Sequence, residues 1–185
     1  MKEGISLTDN DLIRIFLPII QDGLTADGFK KVTVKQGNQP TQQGINTLPT
    51  VYFYKLFDKR YGFLRRDDTW DSINEIMVHT ETQQYETTFQ IEALVLQNPK
   101  NTNLYTASDL VNEVASIMQS DSTRGILSSN DIGILRITDI RNPYFKDDRD
   151  QFEASPSFDF VLTYAQTRVT TSPVITSYDY DIERV

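Results

Sequence analysis

From Phe152 to Tyr164 the chain alternates with a period of two. Phe152, Ala154, Pro156, Phe158, Phe160, Leu162 and Tyr164 occupy the even positions, while Glu153, Ser155, Ser157, Asp159 and Thr163 occupy odd ones. Successive strand side chains point to opposite faces, so this spacing predicts a long β-strand with one apolar face. Pro156 cannot donate to a ladder and marks an edge position or a bulge. Upstream, "DIGILRITDIRNP" reads as a strand ended by Asn142–Pro143. The two strands and their connection, "RITDIRNPYFKDDRDQFEASPSFDFVLTYAQTRV", make a long β-hairpin with a charged tip.

That tip carries Lys146, Asp147, Asp148, Arg149, Asp150 and Glu153. A carboxylate metal site needs acids converging from different elements. These acids are neighbours in one predicted turn, interleaved with bases, and no EF-hand spacing surrounds them. The reading is a solvated, partner-facing tip. The rival is a metal-dependent hydrolase or nuclease built on the acids at 147–153.

Elsewhere the chain offers little chemistry. It has no cysteine, which excludes disulfides and thiolate metal sites. His79 is the only histidine, so triad or acid–base catalysis would have to run through it, and a surface or packed role is expected. No G-x-S-x-G, G-x-G-x-x-G or P-loop pattern occurs. No cofactor, no metal and no enzymatic activity are expected. The net charge of −8, from 26 acids against 18 bases, gives no field to attract nucleic acid. No stretch reads as a secretory leader or a membrane span, so a soluble chain made in a cytoplasm is expected.

The other elements follow from periodicity. "SLTDNDLIRIFLPIIQDG" opens with a capping-box signal, Thr8 with Asp11. Leu12, Ile13, Phe16 and Ile20 form a helical stripe, and Ile15, Leu17 and Ile19 widen it. Pro18 should kink or end this helix, and Asp22–Gly23 should stop it. Lys31–Lys35 reads as a short strand, followed by a polar loop over 36–46. In "TVYFYKLFDKRYGFLRRDD", Val51, Phe53 and Phe57 share one face, and Tyr52, Tyr54 and Leu56 the other. Such a strand is central, or pairs with something outside the domain. Arg65 and Arg66, with Lys59 and Arg60, are flanked by Asp58, Asp67 and Asp68. They read as a solvated turn or as partners in inter-subunit salt bridges. One or two strands follow, with Phe89, Ile91, Ala93 and Val95 on one face. Thr106 or Ser108 caps a second helix whose stripe is Leu110, Val111, Val114, Ile117 and Met118. "STRGILSSND" is a linker or a short helical turn. After Pro173, Tyr178, Tyr180 and Ile182 alternate with acids in a tail suited to adding a strand to another subunit.

The fold class is α+β: a mixed or antiparallel sheet packed on two helices, with a long β-hairpin and an extended C-terminal tail. One domain over 1–172 and a tail over 173–185 are expected. The order of elements resembles the neck and tail-terminator (tail completion) proteins of contractile-tailed bacteriophages. The resemblance is carried by "VYFYKLFDKRYGF", "ASDLVNEVASIMQS" and "ITDIRNPYFKDDRDQFEASPSFDFVLTYAQT". It covers roughly residues 45–170 and consists of structural patterns without a chemical signature. It implies a structural virion protein forming a homo-oligomeric ring, a hexamer, at the neck. The ring would end the tail tube and join the head-side connector. It would leave a channel through which genomic DNA passes unbound, with a sheath anchor compatible and no membrane contact. Another phage ring component, in head completion, the connector or the baseplate, is the near alternative.

Overall fold

The structure, a computed structural model, describes residues 7–37, 48–95, 103–146 and 152–174; for 144–146 and 152–153 it describes the backbone alone. A five-stranded mixed sheet runs in the order β1 (Thr33–Gln36), β2 (Thr50–Asp71), β3 (Ile76–Leu94), β7 (Ser157–Pro173), β4 (Ile132–Ile137). Only β1 and β2 are parallel. A separate two-stranded sheet joins β5 (Tyr144–Lys146) to β6 (Phe152–Ala154). The α+β expectation holds, with three helices among the described residues where two were expected: α1 (Asp9–Ala26), α2 (Ala107–Gln119) and α3 (Asp121–Ser129).

Both expected N-caps form. Thr8 and Thr106 each accept from the backbone N–H of the aspartate three residues on, and that aspartate accepts from the cap N–H in return. Ser120 closes α2 and caps α3, its hydroxyl accepting from Thr123 N–H at 3.2 Å. The "DSTRGILSS" stretch is therefore a nine-residue helix. α1 passes through Pro18 and Gly23 to Ala26, against the expected stop. Gly23 is a packing residue here: a Cβ at that position would lie 2.8 Å from Ile117 side-chain atoms on α2.

The core lies between the helices and one face of the sheet. Leu12, Phe16, Ile20 and Leu24 of α1 and Leu110, Val111, Val114 and Met118 of α2 are buried against Val51, Phe53, Phe89, Ile91, Phe158, Phe160 and Leu162. Phe16 sits 6.0 Å from Phe89 and 5.4 Å from Phe160, which stack on each other at 5.5 Å. Burying such a ring is worth about 1.5–3 kcal/mol each. At the sheet's β1 end, Gln21 closes the strand: its side-chain amide donates to Val32 O at 3.1 Å and its carbonyl accepts from Val34 N–H at 3.2 Å.

The long hairpin forms, with a break. β4 pairs with β7 from Ile132↔Tyr164 to Ile137↔Phe160, an Arg141↔Ser157 bridge follows, and β5 pairs with β6. The strand expected over 152–164 is split at Ser155–Pro156, beside the proline expected to mark an edge position or a bulge, because a residue without an N–H cannot continue the ladder. A bulge at Leu135 and the loop after Ile137 give the other arm its extra residues.

Candidate assembly surface

Strands β2, β3 and β7 are far longer than the helices they carry. β1 pairs with β2 only as far as Gln36↔Phe53, and β4 reaches β7 only as far as Tyr164. Beyond these points three antiparallel strands continue alone. Residues 54–71 of β2 and 165–173 of β7 are two edges with no strand partner among the described residues. β3 lies between them. The nine β3 residues Ile76–Gln84 extend this ribbon roughly 30 Å.

The ribbon buries no side chain fully on either face: its β2 strand is exposed and its β3 strand half-buried. Every β2 residue from Leu56 to Trp70 is exposed, including Phe57, Tyr61, Leu64 and Trp70. The expectation that β2 is either central or pairs outside the domain divides along its length. Val51 and Phe53 are buried, whereas Leu56 and Phe57, past the register shift between Lys55 and Phe57, are not. Gly62 adopts φ +70°, a conformation that other residues rarely take, and opens a second bulge. There Phe63 stands out at 101% exposure. The chain does not turn at "DKRYGF"; it turns after Asp71, whose carboxylate accepts from the N–H groups of Ile73 and Asn74 at 2.9 and 3.2 Å. These bonds, first those from Asn74, hold its pKa below the ordinary value. Ile73, 90% exposed, is the tip of the turn.

Cross-strand pairs hold the ribbon. Arg66 pairs with Glu81 at 3.3 Å and Lys59 with Glu86 at 3.5 Å, and the Arg60 guanidinium lies 6.0 Å from the Tyr85 ring centre. Arg65 lies opposite Thr82 with no ion pair among the described residues. His79 touches both neighbouring strands: Nδ1 is 2.8 Å from Asp68 Oδ1, and Nε2 is 2.8 Å from Ser172 Oγ. The connectivity is that of an acyl-transfer triad. It lies on an open sheet face, where its evident work is to clamp three strands together. The surface or packed role expected for His79 takes this form. Sequence reasoning missed Asp68 and Ser172, which lie 11 and 93 residues away.

At the boundary with the core, Lys55 reaches Asp9 at the start of α1, at 2.6 Å, and Asp58 on its own strand. Asp58 also accepts from the Thr87 hydroxyl at 2.6 Å. On the face away from the helices, the Tyr54 hydroxyl meets Gln90, Gln90 donates to Asp159 at 2.8 Å, and Arg141 donates to the same carboxylate at 2.8 Å.

Of the residues singled out from sequence, Arg65 and Arg66 lie on the ribbon. Lys146 ends β5, its backbone paired with Phe152. Asp147, Asp148, Arg149 and Asp150, and Tyr178, Tyr180 and Ile182 in the tail, lie outside the described residues. Among the described residues no group of three or more His, Cys, Asp or Glu side chains is placed to hold a metal, and no helix is long and apolar enough to cross a membrane.

A family model described as E217 gateway protein gp29 matches residues 11–174. No curated protein matches the chain. Among solved structures, the chain is similar to the sheath/tube terminator of PVC, an extracellular contractile injection system, in its extended state. The identity is 10% and the TM-score 0.49, over 98% of this chain; the match spans 65% of that terminator's length.

Proposed function

The chain belongs to the E217 gateway protein gp29 family, a family of structural phage proteins, and from that premise we propose that it forms a closed ring of about six copies at the phage neck. In this reading the ring ends the tail tube, meets the head-side connector, offers the sheath an anchor and leaves a channel for DNA. The observation that carries it is the ribbon's pair of open edges on either side of β3. An exposed edge is a template for pairing, and monomeric proteins blunt or cover theirs. Here one edge of β2 and one of β7 face opposite ways, so pairing the first with the second of the next copy is a head-to-tail contact. Such contacts close into a ring when the rotation allows.

Three strands from each of six copies would make an eighteen-stranded barrel. With strands about 4.8 Å apart and tilted about 40°, it measures roughly 35 Å across its backbone, and barrels of that size leave an aqueous channel. The net charge of −8 supports passage of DNA without adhesion. Arg65, Arg66 and the hairpin tip at Lys146–Asp150 are candidate contacts between copies, and Tyr178, Tyr180 and Ile182 candidate strand-adding residues.

The test is electron microscopy and mass measurement of the purified chain, alone and with tube protein. Closed rings of about six copies are expected. Phe57→Lys with Val169→Lys, both at exposed positions on the ribbon's two edge strands, should leave the monomer folded and abolish rings. A wild-type chain that stays monomeric at high concentration and fails to cap tubes would overturn the reading.

A further inference from the structure

A second open edge lies at the opposite end of the sheet. β4 is the last strand, and no strand pairs its outer side among the described residues. Beside it, between β4 and α3, runs a cleft of about 590 Å³. Met118, Leu127 and Ile134 supply its apolar wall, and the bulge residue Leu135, 58% exposed, stands at its side. Arg124 of α3 and Arg136 of β4 supply its charge, and neither has an ion pair among the described residues. A strand edge beside a helix, with pockets for alternate side chains, is the geometry of β-strand addition.

We infer that this cleft takes the C-terminal segment Tyr178–Glu183 of a second copy as an added strand beside β4. The segment and β4 both have six residues. Tyr178, Tyr180 and Ile182 alternate with Asp179, Asp181 and Glu183, so one face is apolar for the wall of the cleft while the other bears three acids for Arg136. Arg136 lies opposite Val161, on the sheet face away from Leu162 and the helices, where the acidic face of an added strand would run.

Chain reach excludes the copy's own segment. β4 meets β7 at Tyr164, and β7 then runs nine residues away to Pro173, about 30 Å. Tyr178 is five residues past Pro173 and reaches at most ~18 Å from it. Glu183, ten residues past, reaches at most ~36 Å, too short to lay all six residues along β4 in either direction. The donor is therefore another copy. The inference rests on the ring reading only in needing a second copy alongside.

The chain has no cysteine, which makes cross-linking clean. A copy carrying only Leu135→Cys is mixed with a size-tagged copy carrying only Tyr180→Cys and oxidised. The expected product is a disulfide joining the two differently sized chains. In parallel, a peptide of residues 174–185 is titrated onto the chain truncated after Pro173. Saturable binding is expected, weakened about tenfold or more by Arg124→Glu with Arg136→Glu. Failure of the mixed disulfide, or a peptide that does not bind the truncated chain, overturns the inference. Rings that persist in the truncated chain while the peptide fails to bind would remove this contact and leave the ring reading intact. Peptide binding by a chain that never forms rings would do the reverse.

Discussion

The same three strands build two regions of opposite character. Near the helices, β2, β3 and β7 bury Phe53, Ile91, Phe158 and Phe160 completely, and Gln21 closes the backbone at the β1 end. Over the next roughly 30 Å the ladder is unbroken between β3 and β7, yet among the described residues no helix covers it and its outer edges have no strand partner. Hydrogen bonding between β3 and β7 is alike in the two regions, so that ladder does not distinguish them. What differs is the layer behind the sheet. A sheet without a packed face is marginal in water. The distal ribbon depends on pairs such as Arg66–Glu81 and the Asp68–His79–Ser172 clamp, each worth a fraction of a kcal/mol to about 1 kcal/mol. A region held this weakly and exposed this widely is what the proposed ring contact would complete.

The largest contrast is between two aromatic truncations. Phe160→Ala removes a ring that touches Phe16 and Phe89 and should cost about 3–5 kcal/mol, enough to threaten the fold. Trp70→Ala removes a larger but half-exposed ring on the ribbon and should cost under about 1 kcal/mol in the monomer. Urea midpoints of the isolated chains measure both. Equal losses would mean that the ribbon is packed like the core, and the comparison would collapse.

Much of the proximal region could be read from local sequence because local rules decide it. Thr8 with Asp11 and Thr106 with Asp109 mark helix starts through bonds within four residues. The alternation from Phe158 to Tyr164 identifies the buried face, and the hairpin with β4 follows from proximity along the chain. The distal region was legible only in its exposure. Gly62 gives the same signal whether its positive φ serves a turn or a bulge, so β2 looked finished ten residues early. Nothing near Phe53 tells that β1 stops beside it, and that stop is what turns β2 into an edge. Gly23 read as a helix stop because its real constraint, the Ile117 side chain, is 94 positions away.

At the boundary, Lys55→Met should cost about 1–2 kcal/mol near neutral pH. The ammonium is partly buried, which lowers its pKa, but hydrogen bonds and charge from Asp58 and Asp9 outweigh that and leave it raised. A lysine with a raised folded-state pKa stabilises fully below its ordinary value and loses that contribution as pH rises through the raised one. The difference between wild type and Lys55→Met should therefore close only at strongly alkaline pH. A constant difference across that range would show that packing of the lysine stem, rather than its charge, ties α1 to the root of the ribbon.

The smallest effect tests how well the sheet face away from the helices is shielded in the proximal region. Glu92 lies there, opposite Tyr52 and Ser157, and burial raises its pKa above the ordinary 4.5. Burial also raises the nearby Tyr54 hydroxyl, and the Glu92 charge adds to that. A carboxyl that holds its proton more tightly when folded costs stability as pH rises from its ordinary pKa through the raised one, and keeps costing above it. Glu92→Gln should therefore stabilise the chain at pH 7 by roughly 0.5 kcal/mol or less, since the group is half-exposed and solvent screens it. The gain should vanish well below pH 4.5. Glu81, paired with Arg66 on the open ribbon, provides the contrast: Glu81→Gln removes an ion pair and should give no such gain at pH 7. If Glu92→Gln instead destabilises at neutral pH, the carboxylate is a favourable partner there, and that face is as wet as the ribbon.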